Sequence, residues 1–181
     1  MKEQVVIVPY DSNWQAEFAQ IGASLRQALG EKALRIDHVG STSIVGLDAK
    51  PVIDIQISIA TFNELHAISD PLAALGYAQR EDNPDLTKRY FREAEGMRRT
   101  HIHVRELGSF TEQVSLLFRD YVRTHAHEAK RYAAVKHSLA KSLRHDRDRY
   151  TEEKEPYIWD ILRSASKWSQ KIGWKAGASD V

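Results

Sequence analysis

Cysteine is absent from this sequence, and so is any apolar run near the roughly 18 residues that cross a bilayer. The first absence excludes a disulfide framework and a thiolate metal site, and fits a cytoplasmic protein. The second leaves no candidate membrane span, and the opening Met1-Lys-Glu-Gln-Val has no apolar core of the kind a secretory leader needs. Charge of one sign is also missing: 26 Lys and Arg meet 25 Asp and Glu, for a net charge of +1. That balance conceals an asymmetry. Residues 1–86 hold six basic and twelve acidic side chains, whereas residues 87–181 hold twenty and thirteen. A basic second half favours an anionic ligand, although Lys and Arg on helices are commonly no more than a solvated face. No internal repeat or long linker interrupts the chain. One domain over residues 1–174 is expected, helical from about 109 to 174, with 175–181 as a disordered tail.

What is present concentrates between Ile36 and Ile59, which reads as strand, small-residue turn, strand. Leu34, Ile36 and His38 share one face of a period-two segment that breaks at Gly40-Ser41-Thr42-Ser43. A glycine followed by hydroxyl residues leaves backbone N–H groups open and adds short donors, a nest suited to phosphate oxygens; the same residues also make ordinary turns. After Pro51, the run Val52-Ile53-Asp54-Ile55-Gln56-Ile57 is β-branched enough for a buried strand, with Asp54 in its middle. A charged acid there needs compensation, by backbone N–H groups, by Lys50, or by a metal.

Around this core, Val5–Val8 reads as a short strand stopped by Pro9. Asp11 or Ser12 caps a helix with Trp14, Phe18, Ile21, Leu25 and Leu29 on its apolar stripe. Thr61 to Glu64 has capping-box spacing before a helix that ends at Gly76, and Asn83-Pro84-Asp85 reads as a turn. Strands at about 86–93 and 98–106 form a hairpin around Glu95-Gly96. A two-residue turn there pairs Tyr90 with His101 and Lys88 with His103. Lys88, Tyr90, Arg92, Arg99, His101, His103 and Arg105 then share one sheet face, and Phe91, Ile102 and Val104 the other. Ser109 to Glu112 repeats the capping-box pattern before a helix to about His125. A second helix follows over 127–144, and a third runs from Arg147 toward Gly173, with Pro156 as a kink or its first turn.

The glycine turn and Asp54 resemble the signature of nucleotidyltransferases of the polymerase-β-like fold, in which Gly-Ser precedes a strand carrying Asp-x-Asp/Glu. Here Gly40-Ser41 is followed by twelve residues and then Asp54-Ile55-Gln56. A closer resemblance is to the GrpB family. Its hallmark His-Val-Gly-Ser-Thr-Ser-x-x-Gly-Leu-x-Ala-Lys-Pro-x-Ile-Asp-Ile is matched from His38 to Ile55. The likeness continues through Thr100-His-Ile-His-Val104, Phe118-Arg-Asp-Tyr121 and the Tyr150–Lys154 region. The resemblance implies an α/β (α+β) fold: a mixed nucleotidyltransferase-like sheet followed by C-terminal helices. It also implies metal-assisted transfer of a nucleotidyl or phosphoryl group from a nucleotide, or another phosphorylated small molecule, to a small acceptor. Ser41 and Ser43 would hold phosphate and Asp54 a divalent ion, Mg²⁺ in the first place. Gln56 departs from the pattern, because it stands where an active nucleotidyltransferase carries its second carboxylate. The alternative is therefore a non-catalytic nucleotide- or phosphate-binding module. Domains of this type also occur fused to a dephospho-coenzyme A kinase, a link to coenzyme A metabolism by association only.

The remaining candidates come from the face pattern and the motif matches. His101 and His103, two apart on a strand, suit a transition metal together with Asp54, or an acid–base or phosphate-contacting role, or merely a polar surface. Lys50, Arg92, Arg105, Arg119, Lys136 and Lys154 are the basic residues to test for phosphate contact, beside Gly40, Ser41, Thr42 and Ser43. His38 reads as a histidine bracing the turn, His125 and His127 as helix-junction residues, and His66, His137 and His145 as surface residues. No basic–aromatic module of the usual kinds is present, which argues against a nucleic-acid partner.

Overall fold

The computed structural model describes residues 4–181, so the first three residues of the segment read for a leader lie outside it. Five strands form one mixed sheet: β1 (Arg35–Val39), β2 (Ile53–Ile59), β3 (Tyr77–Gln79), β4 (Arg89–Glu93) and β5 (Thr100–Glu106), in the order β1-β2-β5-β4-β3. β2 runs parallel to β5, and the other pairs are antiparallel. The fold is the expected mixed sheet with helices after it.

The alternation along β2 assigns the two sides of this sheet. Ile53, Ile55 and Ile57 are fully buried and join Phe91, Ile102 and Val104 against α1 (Asn13–Leu29) and α2 (His66–Ala74). Each such side chain stabilises the fold by about 1.5–3 kcal/mol. Asp54, Gln56 and Ser58 take the other side, over which α3 (Phe110–Thr124), α4 (Ala126–Ser142) and α5 (Arg147–Ile172) form their own apolar cluster. Polar residues tie the layers there. The Ser58 hydroxyl donates to Glu112 Oε1 (2.8 Å) and the Gln56 amide to the Glu112 carbonyl (3.2 Å). Glu112 thus serves the sheet and the Gly108 N–H instead of closing a box with Ser109.

Several expectations change. Val5–Val8 is not a strand: Val8 makes one bridge to Ala49, and the Val5 N–H donates to the Arg144 carbonyl. The hairpin has a longer loop, with Tyr90 opposite His103 and Arg92 opposite His101. Its ladder stops early because the Ala94 N–H goes to the Gly76 carbonyl and the Thr100 N–H to the Glu93 carboxylate. The slip is two residues, an even number, so every side chain keeps its predicted face. Pro156 lies inside α5, which starts at Arg147 under an Asp146 cap. Residues 175–181, expected to be disordered, dock on β1. The Ile36 N–H donates to Ser179 Oγ, the His38 N–H to Asp180 Oδ2, and the Val181 N–H to the Ile36 carbonyl. Side-chain bonds to an edge strand leave no compositional mark.

Candidate active site

The glycine turn is a short 3-10 turn over Ser41–Ser43, entered through Gly40 at φ 68° and ψ −174°. A side chain is excluded at Gly40 both by that backbone and by space, since a Cβ would lie 2.5 Å from Asp54 Oδ2. The turn therefore sits directly on the Asp54 carboxylate. Its hydroxyls divide their tasks. Thr42 Oγ1 donates to the Val52 carbonyl (3.0 Å) and meets His38 Nε2 (3.1 Å), and Ser43 Oγ donates to the Gly40 carbonyl (2.6 Å). Those two hold the turn in shape. Ser41 has no such bond among the described residues, and with Gly40 and Thr42 it lines a cavity of about 490 Å³; Ser43, expected as a phosphate ligand, does not. His38 is the brace expected. Its ring stacks on Phe18 at 4.6 Å, and burial with the nearby Arg123 pushes its pKa down to about 4.

Asp54 lies on the cavity floor beside both hairpin histidines. Its Oδ1 is 3.2 Å from His101 Nδ1 and 3.6 Å from His103 Nε2. Tyr90 completes the group, stacked on His103 at 5.2 Å. Burial alone would raise the Asp54 carboxyl; the two imidazoles outweigh it and hold it well below the usual carboxylate range. Burial lowers His103 against the pull of Asp54. One ligand atom from each of the three residues lies within 4.8 Å of the others. Ligands of a tetrahedral ion with bonds near 2.0–2.1 Å are about 3.3 Å apart, so the donor set fits a single divalent ion.

Cations ring the cavity wall. Lys50, Lys136 and Lys154 line it as expected from the sequence, and Lys88 and Arg147 join them. Lys50 and Lys154 share the Tyr150 ring at 5.3 and 5.5 Å, and Lys136 lies over Tyr132 at 4.8 Å while donating to the Asp48 carbonyl. Burial and the neighbouring cations push Lys50 down to about 8. Burial and Lys154 take Lys136 to about 7. Lys88 shared the histidine face in the sequence pattern. Tyr150 opens a stretch already matched by the family likeness; the cavity roles of Arg147 and Tyr132 had no signal, because they depend on how the helices close over the sheet.

Three expected phosphate contacts lie elsewhere. Arg105 is two ladder positions beyond His103 and is engaged by Thr87 (3.1 Å) and Asp85 (3.9 Å). Arg92 keeps its face opposite His101 but pairs with Glu93 at 3.2 Å and is not part of the cavity lining. Arg119 is buried among Asp37, Asp120 and Asp180, at 3.3, 2.8 and 3.0 Å, and is a structural cation. His137, read as a surface residue, is about half exposed and pairs with Asp48 at 2.8 Å. Among the described residues no helix is long and apolar enough to cross a membrane.

Comparison with known proteins gives the same frame. A model of the GrpB protein family matches residues 4–164. A UPF0157 protein of Pseudomonas aeruginosa is 36% identical over 169 residues, 90% of this chain and 68% of that protein. A dephospho-CoA kinase of Mycolicibacterium paratuberculosis is 34% identical over 196 residues, 94% of this chain and 48% of that protein. The chain spans about half the length of that kinase and of the Bacillus subtilis UPF0157 protein YqkA, which is 31% identical over 93% of this chain. Among solved structures, the conserved protein GrpB from Enterococcus faecalis matches with a TM-score of 0.83 and 27% identity, over 91% of this chain and 99% of that one. The poly(U) polymerase Cid1 bound to MgATP shares the fold at a TM-score of 0.53 and 14% identity, over 75% of this chain and 44% of that one. With its glycine turn seated on Asp54 in a sheet of this order, the chain belongs to the GrpB family and carries a nucleotidyltransferase-like fold.

Proposed function

We propose that this protein binds a nucleotide, or a related phosphorylated small molecule, in the cavity over β2 and β5. It transfers a nucleotidyl or phosphoryl group from that ligand to a small acceptor with the help of a divalent ion. The observation that carries the reading is the convergence of His101 and His103 on Asp54 beneath the glycine turn. It supplies, from the neighbouring strand, the metal donors that Gln56 cannot. Two imidazoles and one carboxylate suit a transition ion such as Mn²⁺ or Zn²⁺ better than Mg²⁺, which takes oxygen. When bound, such an ion would neutralise phosphate charge and polarise a phosphoryl oxygen.

The chain's own groups do the rest. Ser41 and the open N–H groups of its turn hold phosphate oxygens, and Lys50, Lys88, Lys136, Lys154 and Arg147 neutralise the remaining negative charge. The buried rings of Tyr132 and Tyr150 lie against Lys136, Lys50 and Lys154 and hold these cations at the wall. The relative named dephospho-CoA kinase makes coenzyme A precursors worth including among the ligands tested.

Thermal shift with nucleotides and coenzyme A precursors, each with and without Mg²⁺, Mn²⁺ and Zn²⁺, tests the reading. Metal and nucleotide together should raise Tm by more than the sum of either alone, and Asp54→Asn should remove the metal-dependent part. Tight metal binding without nucleotide, unchanged in Asp54→Asn, would put the site elsewhere. Binding with no product in a turnover assay would select the non-catalytic module.

A further inference from the structure

Beside the main cavity lies a smaller compartment of about 210 Å³. Lys50, Val52 and Arg147 line both, so the two meet along one wall. Arg99 belongs to the smaller compartment alone, with Val5 and Val6 on its apolar side. Among the described residues no acidic side chain lines it.

The strands fix where it stands relative to Asp54. Asp54 and His101 are Cα partners, and the Ile53 N–H donates to the Arg99 carbonyl at 3.0 Å, which carries the β2–β5 pairing back past Thr100. Val52 and Arg99 thus precede Asp54 and His101 by two residues each, on the same face and about 6–7 Å along the strands. A short molecule anchored at Arg99 spans that distance.

The charge there is positive and held in place. Arg99 Nε lies 3.3 Å from Glu93 Oε1, and the same carboxylate pairs with Arg92 at 3.2 Å and accepts the Thr100 N–H at 3.1 Å. One acid is divided between two guanidinium groups. Burial lowers the pKa of Lys50 and of Arg99, and the charge of Arg147 lowers both further. Like charges crowded in this way are relieved by an arriving anion. The volume is below the roughly 300–1,000 Å³ of sites for drug-sized ligands, so the compartment suits a phosphate or carboxylate on a short chain and not a second nucleotide.

We propose that this compartment is a second anion site, where Arg99, Lys50 and Arg147 hold the phosphate or carboxylate of a small acceptor while its other end reaches the ligand over Asp54. The assignment to the acceptor rests on the transfer function proposed above; the anion site does not.

Calorimetric titration with inorganic phosphate, without metal, counts the sites. Wild type should bind two phosphates per chain. Arg99→Gln should weaken one of them about tenfold or more and leave pyrophosphate binding in the main cavity unchanged. Val6→Glu, at a position about half exposed, sets an opposing charge on the wall without removing a cation and should act like Arg99→Gln, so a folding defect in one variant does not decide the outcome. One phosphate per chain in wild type overturns the proposal, as does a folded Arg99→Gln that binds both. Acetate that competes at the Arg99-dependent site selects a carboxylate, and acetate that does not selects a phosphate; both results support the site. Glycerol 3-phosphate should bind wild type already saturated with a non-hydrolysable ATP analogue, and Arg99→Gln should abolish that binding. Binding only in the absence of the analogue would overturn the acceptor assignment. Wild type that takes phosphate at the Arg99-dependent site yet binds no nucleotide would remove the transfer function and leave the second anion site standing.

Discussion

Arg119 and Lys154 are both cations drawn in from solvent on the helices that cover the polar side of the sheet, and their surroundings are opposite. Arg119 meets Asp37, Asp120 and Asp180, and donates to the His38 carbonyl as well. Lys154 meets the ring of Tyr150, which it shares with a second lysine, and no carboxylate stands within ion-pair distance among the described residues. In the first region the protein supplies its own counter-charges and the result is a joint between β1, α3 and the C-terminal segment. In the second the counter-charge is left to come from outside. Positive charge in the sequence does not separate these two uses; the origin of the anion does.

The sharpest way to break this comparison is Arg119→Ala. It leaves Asp37, which has no exposed surface, with Arg35 as its remaining cation, and should cost about 3–5 kcal/mol in urea unfolding. Anion binding in the cavity should survive at temperatures where the variant is folded. A loss below about 1 kcal/mol would mean that the network contributes little and the contrast with Lys154 is empty.

His38 stands between the two regions, with its N–H on Asp180 and its ring on Thr42 of the turn. Its folded pKa of about 4 lies below the ordinary value of 6.5, so the unfolded chain binds the proton first as pH falls. Stability from a neutral His38 is present above pH 6.5 and drains away toward pH 4, by about 3 kcal/mol at the bottom of that window. Urea denaturation of wild type and His38→Gln across that range isolates the contribution from the carboxylates, and equal slopes would show that the ring is not held neutral.

The smallest effect has the opposite sign. Lys154→Met removes a cation that burial disfavours, so the ligand-free variant should be more stable than wild type at pH 7. Titration with inorganic pyrophosphate in the absence of metal should show binding weakened about tenfold, the equivalent of ~1.4 kcal/mol. A variant that melts lower and binds pyrophosphate as before would make Lys154 another structural cation.

Much of the arrangement was legible because it depends on parity and spacing. The apolar stripes of α1 and α2, the strand around Asp54 and the shared face of Tyr90, His101 and His103 follow from periods of 3.6 and 2. The hairpin loop was misjudged, yet the error was even and the face survived. Arg119 was misread as a phosphate ligand because its partners Asp37 and Asp180 lie 82 and 61 residues away in the chain. Arg147 was missed for a related reason: its place in the cavity wall depends on how a distant helix closes over the sheet, which has no local pattern. The fate of the turn hydroxyls also lay beyond the sequence, since Ser41, Thr42 and Ser43 are alike until the His38 and Val52 contacts are known.

The docked C-terminal segment bears on how this protein behaves at high concentration. β1 is an outer strand of the sheet, and its outward N–H groups at Ile36 and His38 are taken by Ser179 and Asp180. The opposite margin is β3, only three residues long. A strand with free outward amides is a template for pairing with another molecule, and short or covered margins withhold it. Proteolytic loss of 177–181 would bare the β1 margin, and the trimmed protein should self-associate through it while its cavity remains intact.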